Sequence, residues 1–154
     1  MKIRKAEIED YDTIKEIKLL SKVEELKYSE TLKPLSETRE RYLSYLRGDL
    51  THKNRSVYIA EDGGRVVGIV LAKIIKPLLI SKFKIKGYVS NLYVIDDYRR
   101  KGVAERLAKS AFKWLKDLGV SNVSLEIHIK NIPALNLYHK LGFNNYTIKM
   151  VKNI

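Results

Sequence analysis

The chain contains no cysteine and no glutamine, and it has only three prolines among its 154 residues. The absence of cysteine excludes disulfide bridges, thiolate zinc sites and a cysteine nucleophile, and therefore also a covalent thioester intermediate on the protein. No apolar run approaches the ~20 residues that span a bilayer, and the charged N-terminal segment does not resemble a signal peptide. We therefore expect a soluble cytoplasmic protein that does not bind membranes.

The charge balance is strongly positive, with 30 Lys and Arg against 18 Asp and Glu and a net charge of +12. Such a charge fits an anionic ligand and equally fits non-specific attraction to nucleic acid. The basic residues are spread along the chain without the interleaved aromatics of a base-stacking surface, so we expect no dedicated nucleic-acid binding. The charged fraction of 31% and the abundance of lysine and isoleucine are typical of hyperthermophile proteins.

The length fits one domain over residues 1–154, because the chain shows no repeat, linker or low-complexity tract. Alternating apolar residues and turn signals predict strands, and apolar residues at helical spacing predict helices. The predicted strands cover residues 2–6, 56–60, 66–72, 88–94, 123–129 and 146–151. The predicted helices begin after Asp10 and after Ser36, the latter running towards Gly48, and two more cover 102–118 and a segment after Asn131.

A segment with five lysines, Lys73 to Lys86, separates two of the predicted strands and contains the apolar run Pro77-Leu78-Leu79-Ile80. We interpret it as a long hairpin connection whose apolar run is tucked against the protein, in preference to a loop that binds a membrane surface or a partner.

The most informative motif is R-x-x-G-x-A at residues 99–104, which lies between an apolar strand and an amphipathic helix. The helix is indicated by an apolar stripe at helical spacing, formed by Val103, Leu107, Ala111, Trp114 and Leu118. A glycine at the start of a helix lets a ligand approach the backbone, and the unpaired N–H groups and helix dipole there favour an anion. The motif predicts a phosphate or diphosphate site, with an ordinary turn carrying solvated basic residues as the alternative.

A second motif follows about thirty residues downstream, where the strand at 123–129 leads into Asn131, Ala134, Tyr138 and Gly142-Phe143. Together, in this order, the two motifs resemble those of the GCN5-related N-acetyltransferase (GNAT) superfamily, over about residues 55–145. The resemblance implies an α/β fold with a mixed sheet of about six to seven strands, helices on both faces and a splayed pair of parallel strands. It also implies acetyl-CoA as the cofactor, with coenzyme A as the product.

The resemblance implies that backbone groups hold the cofactor. The amide arm of acetyl-CoA would pair with the strand at Leu92, Tyr93 and Val94, and Asn131 would hydrogen-bond to the same arm. The diphosphate would bind the amides of the first motif, which are those of Arg99, Arg100, Lys101, Gly102, Val103 and Ala104. No metal site is expected. For Asn131, the role of helix N-cap is compatible with cofactor binding.

Tyr138 is the candidate general acid, because family members with the N-x-x-A-x-x-x-Y pattern place a tyrosine near the thioester sulfur. A phenol with a pKa near ~10 can protonate a thiolate leaving group. The alternative is that Tyr138 only packs beside Leu137 and Leu141.

Glu126 is the candidate general base, since its position resembles that of the glutamate in ribosomal-protein N-terminal alanine acetyltransferases. An amine with a pKa near ~10.4 must lose a proton to a base or to water. A lysine ion pair is the structural alternative for Glu126, and His128 on the same strand face is the rival base. Some family members carry a carboxylate on the earlier splayed strand, but this chain has Ser90 and Asn91 there.

These observations favour an acetyl-CoA-dependent N-acetyltransferase in which a primary amine attacks the thioester directly. Only eleven residues follow Phe143, too few for the hairpin that closes over a peptide in many relatives, so a small-molecule amine is slightly favoured over a protein N-terminus or lysine. Glu24, Glu25 and Glu30 are candidates for attracting a cationic amine, with a solvated helix face as the equal alternative. A non-catalytic module that senses acetyl-CoA or docks on nucleic acid is the alternative of another class. A homodimer is compatible with the resemblance.

Overall fold

Five strands, five α-helices and two short 3-10 helices make up the fold in a computed structural model that covers all 154 residues. The strands are β1 (Lys2–Lys5), β2 (Arg55–Asp62), β3 (Arg65–Ile75), β4 (Lys86–Val94) and β5 (Val123–Ser124). The helices are α1 (Tyr11–Leu26), α2 (Leu35–Ser44), α3 (Leu46–Thr51), α4 (Val103–Asp117) and α5 (Ile132–Lys140). No helix combines the length and the apolar character needed to cross a membrane.

The strands form one mixed sheet in the order β1-β2-β3-β4-β5. The first three pairings are antiparallel and the last, between β4 and β5, is parallel. The parallel pair follows from the intervening α4, because a crossover helix brings the next strand back in the same direction. The predicted mixed α/β fold with a parallel pair is therefore confirmed.

Helices cover both faces of the sheet, as predicted. On one face α4 buries Val103, Leu107, Ala111 and Leu115 against β2, β3 and β4. On the other face α1 and α3 bury Ile14, Ile17 and Leu46 against the opposite side chains of β2 and β3. The stripe of α4 differs from the prediction at its end, because Leu115 is fully buried whereas Leu118 is 44% exposed.

The sheet has five strands, so the expectation of six to seven was too high. The strand predicted at 123–129 ends at Ser124, and the segment 146–151 forms no strand at all. Alternation predicts a strand only if a neighbouring strand accepts its backbone bonds, and β4 offers β5 partners only at Gly87 and Tyr88. The 146–151 segment lies exposed, with Tyr146 at 95%.

The region before β2 also differs from the prediction. The helix expected to run from Ser36 towards Gly48 is two helices, since the chain breaks between α2 and α3 at Tyr45. Ser36 does not cap α2, whose N-cap position is held by Pro34 without a side-chain bond. Asp10 stands at the N-cap of α1 but gives its carboxylate to Arg4, at 2.7 and 2.8 Å. The same carboxylate also accepts the Glu7 N–H at 2.9 Å, so its oxygens are occupied outside α1 and none of their bonds caps that helix.

A buried ionic group that the sequence did not reveal fastens α1 and α3 to β2. The Lys18 ammonium lies 3.1 Å from one Asp49 oxygen, and the Arg55 guanidinium lies 2.7 Å from the other. Lys18 and Asp49 are 6% and 4% exposed. A buried carboxylate with two cationic partners satisfies its charge without water, so this group holds the two helices over the sheet.

Candidate active site

A β-bulge bends β4 at the centre of the sheet. Ser90 pairs with Leu71 and Tyr93 pairs with Ile69, which leaves Asn91 and Leu92 together opposite Val70. Asn91 adopts a left-handed conformation with φ of +51°, an arrangement that asparagine tolerates better than most residues. The bulge redirects the strand just before the motif at residues 99–104.

The parallel strands β4 and β5 separate directly after Tyr88, leaving a gap beside β4. They pair only at Gly87 with Val123 and at Tyr88 with Ser124. Because the Ile95 N–H donates to the Val67 carbonyl in β3, the preceding Val94 directs its backbone groups into the gap, whereas Tyr93 directs its own to β3. A splayed edge of this kind offers backbone hydrogen-bonding groups to an extended ligand.

A run of free backbone N–H groups lies next to the gap, at the start of α4. The N–H groups of residues 100–105 donate to no acceptor in the protein. Arg100 and Gly102 have φ values of +58° and +74°, and such alternation of backbone conformation turns successive N–H groups towards one point. Arg100 and Lys101 are exposed and form no ion pair. The segment is therefore built to hold an anion, with the positive end of the α4 dipole behind it.

Gly102 leaves the approach to these N–H groups open. A Cβ added there would meet no atom within 4 Å, and the φ of +74° is one that L side chains rarely adopt. A ligand can therefore reach the backbone without displacing a side chain.

Arg99 differs from the other residues of the motif, because its guanidinium and its backbone N–H both donate hydrogen bonds within the protein. Its guanidinium forms a bidentate pair with Glu24 of α1, at 2.7 and 3.1 Å, and its Nε donates to the Val94 carbonyl at 2.9 Å. Its backbone N–H donates to the Asp96 carbonyl. Arg99 therefore ties α1 to the end of β4. The same contact lowers the pKa of Glu24 and removes this residue from the carboxylates free to attract an amine.

Tyr138 is held rigidly by both ends of α5. Asn131 caps the helix start by accepting a bond from the Ala134 N–H at 3.2 Å, and Gly142 and Phe143 close its end with bonds to the His139 and Tyr138 carbonyls. The Tyr138 ring packs edge-on against Phe143, with centroids 5.4 Å apart. The N-cap role predicted for Asn131 is thus present in the structure.

The Tyr138 phenol is buried and neutral. Its side chain is 6% exposed, and burial, followed by the neighbouring Tyr88, raises its pKa well above the usual range. A raised pKa favours the protonated form of a phenol, so Tyr138 carries its proton at neutral pH.

Glu126 lies near Tyr88 and has no ion-pair partner. It is exposed, and no Lys, Arg or His nitrogen comes within 4.0 Å of its carboxylate. Burial raises the pKa of Tyr88, and the charges of Glu126 and then Glu25 raise it further. Tyr88, at the point where β4 and β5 part, therefore interacts electrostatically with Glu126 and with Tyr138. Tyr88 was not among the residues predicted from the sequence, although its place at the start of the predicted strand 88–94 was a usable signal.

His128 is already engaged in local contacts. Its Nδ1 accepts the Lys130 N–H at 3.1 Å, and its ring stacks on Tyr28 with centroids 6.2 Å apart. The other carboxylates considered at the sequence level are paired as well, since Glu25 contacts Lys22 and Glu30 contacts Lys130. The structure contains no group of three His, Cys, Asp or Glu side chains arranged to hold a metal ion.

Comparison with known proteins identifies the family. Residues 20–143 match the family described as "Acetyltransferase (GNAT) family". An N-alpha-acetyltransferase of Sulfurisphaera tokodaii is 30% identical over 96% of this chain and 82% of its own length. One from Saccharolobus solfataricus is 38% identical over 44% of this chain, and N-alpha-acetyltransferase 30 of Schizosaccharomyces pombe is 29% identical over 58%. Those matches span only 40% and 57% of the two relatives.

Solved structures share the fold at lower identity. A Clostridium acetobutylicum acetyltransferase solved with acetyl-CoA superposes with a TM-score of 0.79 at 20% identity, over 99% of this chain and 95% of that one. An aminoglycoside 6'-N-acetyltransferase from Acinetobacter haemolyticus superposes with a TM-score of 0.74 at 18% identity, over 100% and 99% of the two chains.

Proposed function

The chain belongs to the acetyltransferase (GNAT) family and is an acetyl-CoA-dependent N-acetyltransferase, and we propose that it acetylates the free α-amine of polypeptide chains. The observation that carries this proposal is one arrangement in the fold. An anion site of free N–H groups lies at one end of the gap beside β4, and an unpaired carboxylate with a buried neutral phenol lies at the other.

In this proposal the cofactor lies along the gap. Its diphosphate accepts hydrogen bonds from the N–H groups of residues 100–105, with Arg100 and Lys101 neutralising its charge. Its amide arm pairs with the backbone edge around Leu92 and with the N–H of Val94, because the Val94 carbonyl already accepts the Arg99 Nε, and the Asn131 amide adds a further donor. Arg99 acts by positioning, since it fixes the end of β4 against α1. The thioester then lies near the point where the strands part.

The chemistry needs two proton transfers, and the two candidate residues divide them. The amine nitrogen attacks the thioester carbonyl, a C–N bond forms, and Glu126 accepts the proton that the nitrogen loses. The C–S bond then breaks, and Tyr138 donates its proton to the departing thiolate. The acetyl group passes directly from sulfur to nitrogen, in keeping with the absence of cysteine.

Two considerations support an α-amine as the acceptor. Two relatives, matched over 96% and 74% of this chain, are named N-alpha-acetyltransferases. An α-amine has a pKa of ~7.7–8.0 against ~10.4 for lysine, so roughly several hundred times more of it is unprotonated at pH 7. An exposed base such as Glu126 suffices for an amine that loses its proton so readily.

A small-molecule amine is the second candidate, and one observation favours it. The residues after α5, from 141 to 154, form no strand that closes over the gap, so the acceptor side is open. An open site accepts amines of many shapes.

A thiol-release assay with a panel of amines separates these candidates. We expect an unblocked peptide to be acetylated faster than spermidine, an aminoglycoside, or a peptide with a blocked N-terminus and a free lysine. Mass spectrometry of the peptide products should locate the acetyl group on the first nitrogen. Faster transfer to spermidine or the aminoglycoside would show that the acceptor is a small-molecule amine. Binding of acetyl-CoA without transfer to any amine would indicate a non-catalytic module.

Replacement of Glu126 by Gln should lower kcat/KM by about tenfold near neutral pH, because water can partly replace an exposed base. The rise of the rate with pH should move to higher pH, since the amine must then lose its proton without help. His128→Gln, with its local hydrogen bond and stacking contact, should keep the wild-type profile. If His128→Gln shifts the pH profile and Glu126→Gln does not, the base assignment is reversed.

A further inference from the structure

An exposed apolar tip lies in the connection between β3 and β4. Its residues Leu78, Leu79 and Ile80 are 78%, 96% and 93% exposed. The prediction that this run is tucked against the protein is therefore wrong. The side chains that reach the core are instead those at the base of the connection, Ile74 and Ile85. Because these two anchor both ends of the connection, the chain between them stands away from the core.

Two hydrogen bonds give the tip a defined shape. The Ser81 N–H donates to the Leu78 carbonyl at 2.9 Å, which closes a turn over the apolar run. The Phe83 N–H then donates to the Ser81 hydroxyl oxygen at 3.1 Å. The turn thus presents three consecutive aliphatic side chains to solvent. Contiguous exposed apolar surface is uncommon in soluble monomers and marks contact with a protein or a membrane.

Lysines surround the tip, and no acidic residue within the connection offsets them. The segment 73–86 contains Lys73, Lys76, Lys82, Lys84 and Lys86, and it has no Asp or Glu. None of these five ammonium groups lies within 4.0 Å of a carboxylate oxygen. The three nearest to the tip along the chain, Lys76, Lys82 and Lys84, are exposed. The connection therefore has a strongly positive potential around an apolar tip.

This combination fits an anionic bilayer better than the other partners of an apolar surface. A second copy of the chain would bring like charges together, which opposes association. RNA supplies negative charge, but its bases stack on aromatic side chains and offer no aliphatic region to the tip. A protein would need a groove that encloses a protruding tip, whereas lipid deforms around it. In an anionic bilayer the headgroups attract the lysines and the acyl region accepts the aliphatic side chains.

The tip and the anion site at residues 99–104 lie at opposite ends of β4. The connection leads into the first residue of this strand, and the anion site follows its last residue. The nine residues of β4 span about 30 Å in extended form. A bilayer at the tip would therefore leave the anion site open to acetyl-CoA. It would also lie at the end of the sheet where β4 and β5 pair before they part.

We propose that the connection between β3 and β4 docks the protein on anionic membrane surfaces, with the apolar tip inserted and the lysines among the headgroups. The expectation of no membrane binding rested on the absence of a spanning segment, and docking by a surface loop needs none. The proposal goes beyond the proposed function, since it holds whichever amine is acetylated.

The test is co-sedimentation of the full chain with vesicles of phosphatidylglycerol and phosphatidylcholine in equal parts, compared with vesicles of phosphatidylcholine alone. At low salt we expect the affinity for the anionic vesicles to be greater by about tenfold or more, and the difference to shrink as salt is added.

The apolar contribution is tested by Leu79→Ser combined with Ile80→Ser, which should weaken binding to the anionic vesicles by about tenfold or more. Ile148→Ser combined with Met150→Ser is the matched control, because these side chains are 85% and 89% exposed beyond α5. This control should bind the vesicles as the wild type does. Both double variants should keep the wild-type affinity for acetyl-CoA.

The charge contribution is tested in the same way. Lys82→Glu combined with Lys84→Glu should weaken binding by about a hundredfold, because each lysine near an anionic surface contributes separately. Lys149→Glu combined with Lys152→Glu makes the same change of net charge at exposed positions beyond α5, and should have a much smaller effect.

A Leu79→Trp variant reports whether the tip enters the bilayer. The wild-type chain has one tryptophan, Trp114 in α4. We expect the anionic vesicles to shift the emission of the variant to shorter wavelength and to leave that of the wild type unchanged.

Three results would overturn the proposal. Absence of binding to the anionic vesicles would leave a protein as the partner of the tip. Equal binding by the two serine double variants would mean that the protein adsorbs by net charge alone. Tighter binding to poly(U) RNA than to the vesicles, unchanged by Leu79→Ser with Ile80→Ser, would indicate a nucleic-acid surface.

Discussion

Replacing Tyr138 by Phe should lower kcat by about a hundredfold or more, while the affinity for acetyl-CoA stays within about twofold of wild type. The substitution removes one oxygen from a buried ring and keeps the edge-on contact with Phe143. Without the phenol, the thiolate must leave unprotonated or take its proton from a less well placed water molecule. Because burial raises the pKa of Tyr138, wild-type enzyme holds this proton throughout the neutral range.

The measurement is single-turnover transfer together with calorimetric titration of acetyl-CoA. Tyr146→Phe is the control, since Tyr146 is 95% exposed beyond α5 and loses the same atom. An unchanged kcat in Tyr138→Phe would show that Tyr138 only packs in the core. Its ring contact with Phe143 is the basis of that alternative. A parallel loss of kcat and thermal stability would point to the same conclusion.

Replacing Gly102 by Asp should weaken acetyl-CoA binding by about a hundredfold relative to Gly102→Asn. Two like charges ~4 Å apart repel by ~1 kcal/mol in water and by ~4 kcal/mol near a protein surface, and the new carboxylate would face the diphosphate. The Asn variant is the proper reference, because both residues tolerate a left-handed φ and differ only in charge. The difference should diminish as salt is added.

Gly119 offers the corresponding control at the other end of α4. It also has a left-handed φ, of +79°, and a Cβ there would meet no atom within 4 Å. Its Asp and Asn variants should bind acetyl-CoA equally well. If the two Gly102 variants also bind alike, the diphosphate does not lie at residues 99–104.

The central unit of the fold was predictable from local patterns. Periodicity and turn residues within about fifteen positions predict three of its features. These are the hairpin of β2 and β3, the amphipathic helix α4, and the parallel strand β5 that follows it. The predictions failed where the structure depends on a distant partner. The segment 146–151 has strand periodicity, yet no neighbouring edge pairs with it. Ser36 has capping chemistry, yet α2 begins at Leu35 behind Pro34.

The candidate site was predictable in outline for the same reason. The run of N–H groups is a property of one short segment, and the spacing of Asn131 and Tyr138 belongs to one helix. Three interactions join segments that are far apart in the chain. They are the ion pair of Arg99 with Glu24, the hydrogen bond of Asn91 to Tyr42, and the electrostatic interaction of Tyr88 with Glu126. No local pattern contains such information.

By itself, the sequence determined that a glycine precedes an amphipathic helix behind a strand, because these features depend on the side chains of neighbouring residues. It also determined, by lacking cysteine, that no covalent thioester forms on the protein. Only the tertiary structure decided which charges stay free. Arg99 and Glu24 neutralise each other across 75 positions, whereas Glu126 has no partner, because ion pairing depends on distances in space and not along the chain.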